Sequence, residues 1–177
     1  PYILVNFQGK IRDVMTLAHE IGHGIHQYLA NDKGLLVSET PLTLAETASV
    51  FGEMLTFKNM LKNSKSKSER IFLLRSKIED MLNTVVRQIA FFNFERRVHE
   101  SRKNGEVSAD KISQFWMETQ KESFGTTVKL PDEYRFFWAY IPHFIHSPFY
   151  VYAYAFGDCL VNTLYSSYES GYENFNS

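Results

Sequence analysis

A single cysteine, Cys159, stands in the whole sequence, so no internal disulfide can form, and a zinc ribbon or finger would need more thiolates than the chain owns. Any metal must therefore sit on His, Asp or Glu. An excess of one charge is also missing: 19 Lys and Arg face 20 Asp and Glu, a formal net charge of −1, which argues against nucleic acid or a membrane surface held by bulk charge. The longest stretch without a charged residue, Phe136 to Gly157, is long enough to span a bilayer on count alone. Pro142, His143, His146, Ser147 and Pro148 break it, and it is read as soluble. No repeat or low-complexity segment is present. The chain opens at Pro1 with no basic-then-apolar leader, so the expectation is a cytoplasmic protein, and a strand-like beginning marks the chain as a piece of something longer.

What remains is a globular composition over 177 residues, 44% hydrophobic and 22% charged, enough to bury a core. Aromatics are abundant, with 15 Phe, 10 Tyr and 2 Trp. Tyr2 to Phe7 has the content of a short strand. Apolar residues Val14, Leu17, Ala18, Ile21, Ile25 and Leu29 recur at helical steps, predicting a helix from Ile11 to Leu29. Thr40 as cap with Pro41 predicts a second helix to about Leu61. Ser66 with Glu69 opens a long third to about Lys103, and Ser108 a fourth to Phe124, stopped by Gly125. Ser147 and Pro148 are expected to start the last, to about Tyr168. The fold class expected is mainly α, a helical bundle with one short β-strand near the N-terminus. Residues 1–177 are read as one region, with 1–62 a strand and helix pair and 63–177 a helical bundle.

One motif is highly specific. In His19-Glu20-Ile21-Gly22-His23, the two histidines lie one helical turn apart on one face, so both imidazoles can reach the same ion. Glu20 is too close in sequence to be a comfortable third ligand, but it is well placed to take a proton from a metal-bound water. Zinc suits two imidazoles and a carboxylate at roughly 2 Å and lowers its water's pKa to about 7. The competing reading makes both histidines surface residues of an amphipathic helix.

The third ligand must come from elsewhere. His26 shares the face of His19, but seven residues rise about 10.5 Å along a helix, too far for one ion. A metzincin would need Gly at 26 and His at 29, where this chain has His26 and Leu29. Candidates are Glu39, Glu46 and Glu53. Ala45, Ala48, Ser49 and Gly52 form a small-residue stripe that lets the second helix approach the one carrying Gly22 and Gly24. That approach would bring Glu46 to the metal, leaving Glu53 to orient a ligand histidine or to stand solvated.

The stretch Asp13-Val-Met-Thr-Leu-Ala-His-Glu-Ile-Gly-His-Gly-Ile-His26, with Ser38-Glu-Thr-Pro-Leu-Thr-Leu-Ala-Glu-Thr-Ala-Ser-Val-Phe-Gly-Glu53 after it, closely resembles oligoendopeptidase F and its relatives, which include thimet oligopeptidase. The resemblance extends to His143-Phe-Ile-His-Ser-Pro-Phe-Tyr-Val-Tyr-Ala-Tyr-Ala-Phe-Gly157 and so covers nearly the whole chain. It implies a mainly helical, zincin-like zinc endopeptidase that cuts short peptides inside a deep channel, with residues 1–177 as one catalytic region, 1–62 as its zinc-binding strand and helix pair, His19, His23 and Glu46 as ligands of one Zn2+ and Glu20 as catalytic base. In the aromatic segment it implies a histidine and tyrosines that contact substrate and steady the transition state. His143 matches the histidine, while Tyr150, Tyr152 and Tyr154 compete for the tyrosine roles, with Tyr150 and Tyr154 favoured.

The alternative for each tyrosine is core packing, since aromatics at helical spacing usually pack. Trp116, Trp138, Phe136, Phe137 and the Phe91, Phe92, Phe94 cluster are assigned to packing, and Cys159 to a buried small hydrophobe. The expected activity is zinc-dependent hydrolysis of oligopeptide substrates, with no nucleic-acid or membrane partner. An end-trimming carboxypeptidase or dipeptidase, and a peptide-binding domain without turnover, are the alternatives. If the chain is part of a longer peptidase, exposed apolar surface should mark where the remainder docks.

Overall fold

The computed structural model describes residues 2–173 and 175, the Leu42 side chain excepted. Pro1 and the last residues of the expected 1–177 region lie outside the described residues. The chain is mainly α. Its helices are α1 (Ile11–Asn31), α2 (Thr47–Lys62), α3 (Lys67–Met81), α4 (Gln88–Arg102), α5 (Ala109–Phe124), α6 (His143–His146) and α7 (Tyr152–Glu169). Short 3-10 segments span Leu42–Leu44 and Asp132–Tyr140, and Leu82–Arg87 is π-helical.

Several boundaries follow from local chemistry. Asp13 Oδ2 accepts the Lys10 and Gln8 backbone N–H groups at 2.8 and 2.9 Å, tying the N-cap residue and the chain before it to the first turn of α1. Ser108 accepts the Lys111 N–H at the start of α5, and Gly125 ends that helix at φ 59°. Other expectations are corrected. Tyr2 to Phe7 forms no strand, because a strand needs a partner's ladder and none exists among the described residues. Pro41 leads only into the Leu42–Leu44 turn, and α2 starts at Thr47. The long helix expected from Ser66 to Lys103 contains the π-helical stretch. Pro148 lies in a turn, and Phe149 beside it has φ 60°, which no helical residue adopts, so α7 begins at Tyr152.

The described residues divide into two compact units, 2–81 with 156–173 and 175, and 82–155. In the first, Val50, Met54 and Phe57 of α2, Leu73 of α3, and Val161 and Tyr165 of α7 form the core. α1 lies close against α2 through glycine: a Cβ on Gly22 would stand 2.6 Å from the Ala48 carbonyl oxygen and the Ser49 Cα, and one on Gly52 would stand 2.9 Å from the Ala18 oxygen. The small-residue stripe therefore packs where expected, except that Gly24 faces the Ile3 side chain instead. A buried ion pair, Lys77 with Asp158 at 4.0 Å, joins α3 to α7. Burial raises the Asp158 pKa and Lys77 opposes the rise.

The second unit packs Phe91, Phe94, Trp116, Ile141 and Val151. Trp116 is fully buried, and its indole N–H donates to the Tyr134 carbonyl at 3.0 Å, so the ring is buried without an unmet donor. Phe136 and Phe137, expected to pack, are exposed, and Phe137 stacks on Tyr134 at the surface. Cys159, expected to be buried, is exposed because it falls between the inward positions Asp158 and Val161 of α7. Ile21, Ile25 and Leu29 of α1 are also open, Ile25 to 56%.

Candidate metal centre

α1 presents His19 and His23 one turn apart, with ring centroids 4.8 Å apart and the rings nearly perpendicular. Glu46 is the residue before α2 and only 5% exposed. The glycine contacts that draw α1 against α2 bring its carboxylate to the two rings. Glu46 Oε2 stands 3.3 Å from His19 Nε2 and 3.5 Å from His23 Nε2, and the two Nε2 atoms are 3.1 Å apart. Among the described residues, these three are the group of His, Cys, Asp or Glu side chains whose ligand atoms converge.

The spacing is informative. Three ligands at about 2.0–2.1 Å from a tetrahedral ion lie about 3.3 Å from one another. The observed separations of 3.1, 3.3 and 3.5 Å straddle that value, so two imidazoles and one carboxylate fit a zinc ion in chemistry and in spacing.

Neighbours hold these groups in place. His19 Nδ1 meets Glu53 Oε1 at 2.5 Å; with Nδ1–H donating to Glu53, Nε2, which faces Glu46 and His23, is the ring atom left to bind an ion. The Ser49 hydroxyl donates to the Glu46 carbonyl at 2.9 Å and reaches Oε2 at 3.2 Å. Gly157 of α7 lies under Glu46, where an added Cβ would come within 3.1 Å of the Glu46 Cβ. Without metal, Glu46 and then Glu53 hold the His19 pKa up to about 10, against the opposing effect of burial. Glu20 follows His19 on α1 and is half-buried. His26 and Glu39 do not join the group.

In the second unit, His143, Tyr150 and Tyr154 form a cluster of their own. His143 Nε2 and the Tyr154 hydroxyl are 3.2 Å apart, and the Tyr150 ring lies 5.5 Å from His143 and 5.2 Å from Tyr154. Tyr152 points elsewhere, against Phe92 at 5.9 Å. His146 is exposed. Sequence reading passed over Lys77, Asp158 and Glu95, all buried charges. The available signal for Glu95 was its place directly after the Phe91 to Phe94 run.

Fold and centre together define a helical scaffold of the metallopeptidase kind, with its paired histidines on one helix and its carboxylate from the next. The chain belongs to Peptidase family M3, which it matches over residues 1–175. It is 35% identical over 158 residues to "Oligoendopeptidase F, chromosomal" of Lactococcus lactis subsp. cremoris, covering 88% of this chain and 26% of that protein. To "Oligopeptidase PepF" of Bacillus subtilis (strain 168) it is 31% identical over 159 residues, covering 89% of this chain and 24% of that protein. The crystal structure of oligoendopeptidase-F from Enterococcus faecium superposes with a TM-score of 0.77 at 25% identity, over 93% of this chain and 30% of that one. The chain thus spans about a quarter of the length of the curated relatives it matches. No helix among the described residues is long and apolar enough to cross a membrane.

Proposed function

We propose that this chain carries the catalytic centre of a zinc metalloendopeptidase that hydrolyses short oligopeptides. The observation that carries the reading is the convergence of His19 Nε2, His23 Nε2 and Glu46 Oε2 at the mutual spacing of ligands to one tetrahedral ion. The names of the relatives, oligoendopeptidases and an oligopeptidase, support peptides as substrates.

His19, His23 and Glu46 would hold the ion. When bound, zinc supplies an acidified water and a Lewis acid for the scissile carbonyl. Glu20 accepts the proton of the attacking water and returns it to the leaving amine. Glu53 holds the Nδ1 proton of His19, so that Nε2 is the atom that would bind the ion once its own proton is displaced. His143, Tyr150 and Tyr154, clustered within the second unit, offer neutral N–H and O–H donors of the kind that steadies the negative charge growing on an attacked carbonyl oxygen.

The test uses the complete protein and a fluorogenic peptide blocked at both ends. Glu20→Gln should keep zinc and lose hydrolysis by about two to four orders of magnitude, whereas His19→Ala should lose zinc. Near-normal turnover by Glu20→Gln would remove Glu20 as the base. A doubly blocked peptide left intact while free-ended peptides are trimmed would assign the end-trimming alternative instead.

A further inference from the structure

Glu95 of α4 is an acid in an apolar setting, only 2% exposed and flanked by Phe94 of the core. Its Oε1 accepts the Phe149 backbone N–H at 2.7 Å, while Oε2 is buried with no hydrogen-bond partner. Burial raises its pKa, and the Phe149 N–H and the nearby His99 and His143 oppose the rise. A buried, half-satisfied carboxylate is costly enough to need a reason.

The reason lies in the residue it holds. Phe149 has φ 60° and is the non-glycine residue with positive φ among those described. It is the third residue of the turn Ser147-Pro148-Phe149-Tyr150, closed by the Tyr150 N–H donating to the Ser147 carbonyl at 3.2 Å. Proline second and positive φ third is the pattern of a type II turn, whose third position ordinarily takes glycine. A side chain there persists only where its surroundings over-determine it. Here they do, with His99 and Phe92 against the ring at 4.6 and 6.4 Å and Glu95 on the N–H. His143 precedes this turn, and Tyr150 and Tyr154 follow it.

We propose that Glu95 is a positioning residue: by holding the N–H of strained Phe149, it fixes the turn that brings the His143 imidazole together with the Tyr150 and Tyr154 rings. The inference rests on the donor role proposed above for that cluster. Glycine at 149 would relax the turn and need no buried acceptor. The chain has phenylalanine there and a carboxylate to hold it, the combination expected where the turn must keep one geometry.

The experiment measures kcat, KM and zinc content in the complete protein, with Tyr154→Phe as the reference for the donor role. Glu95→Gln keeps a carbonyl oxygen for the Phe149 N–H and should retain most of the turnover. Glu95→Asp draws the acceptor back by one methylene. It should lower kcat about 10-fold or more through misplacement of the donors, with KM and zinc content unchanged. Full kcat in Glu95→Asp alongside a loss in Tyr154→Phe overturns the proposal, as does an equal loss in Glu95→Gln, which would assign charge rather than hydrogen-bond acceptance. Full turnover in Tyr154→Phe would refute the donor reading itself. Amide hydrogen exchange at Phe149 in the unaltered protein provides an arm that needs no variant: a protected amide is expected, and exchange at the rate of an open loop refutes the clamp.

Discussion

Replacing Gly22 by alanine sets two effects of known size against each other. Alanine in a helix interior is favoured over glycine by about 1 kcal/mol. At Gly22, however, the new Cβ would lie 2.6 Å from the Ala48 oxygen and 2.6 Å from the Ser49 Cα. Both are backbone atoms of the facing segment, with no side-chain rotation to relieve them. Ordinary contact begins near 3.4 Å, so α1 and α2 must part by about 0.8 Å, and overpacking of this kind costs about 1–3 kcal/mol. The overpacking term should win, leaving a net loss of up to about 2 kcal/mol. The larger consequence is local. His19 and His23 flank Gly22 while Glu46 belongs to the facing segment, and a metal site tolerates only about 0.2 Å in its ligand distances. Zinc affinity should therefore fall by about 10-fold or more, read by competition with a chelator alongside denaturant unfolding of the complete protein. Gly24→Ala is the control, since its Cβ would meet only the tip of Ile3 at 3.0 Å. It should leave zinc affinity unchanged and stability equal or higher. If Gly22→Ala behaved like Gly24→Ala in both measurements, the close approach would not be what assembles the centre.

Four further outcomes are expected. Zinc must displace the proton that Glu46 and Glu53 hold on His19 with a pKa of about 10, so binding at pH 7 should release about one proton from this ring and affinity should rise with pH. Titration calorimetry in buffers of different ionisation enthalpy reads this, and pH-independent affinity would count against it. In the metal-free protein the same raised pKa contributes stability that is complete below 6.5 and lost as pH climbs toward about 10. Glu53→Ala should weaken zinc binding by about 10- to 100-fold by freeing the His19 ring, and equilibrium dialysis would show it. Trp116→Ala, at a fully buried site, should cost about 3–5 kcal/mol in urea unfolding.

The helices were legible because their signals are local. Ser108 and Gly125 act within one turn of chain, and α5 begins and ends beside them. The meeting of α1 with α2 was legible for a related reason, since small residues at helical spacing say how closely a face can be approached. Periodicity does not say what covers a face. Ile21, Ile25 and Leu29 have core-like spacing and are exposed, because the described chain supplies a partner at the Gly22 face and none over theirs.

The misplaced start of α7 came from reading Ser147-Pro148 as a cap and first turn. The same pair suits a turn, and the choice is made by contacts on Phe149 from Glu95, Phe92 and His99, more than forty residues earlier in the chain. Tyr2 to Phe7 had strand composition, but composition cannot supply the partner that makes a strand. Buried charges such as Lys77, Asp158 and Glu95 were invisible for the same reason, since their burial depends on neighbours distant in sequence.

The central claim is that His19, His23 and Glu46 share one zinc ion. Anomalous scattering from crystals of the complete protein, recorded above and below the zinc edge, tests it most directly. The account predicts a single peak about 2 Å from His19 Nε2, His23 Nε2 and a Glu46 carboxylate oxygen. Protein grown with zinc that shows no peak there, or a peak held by other residues, would contradict it.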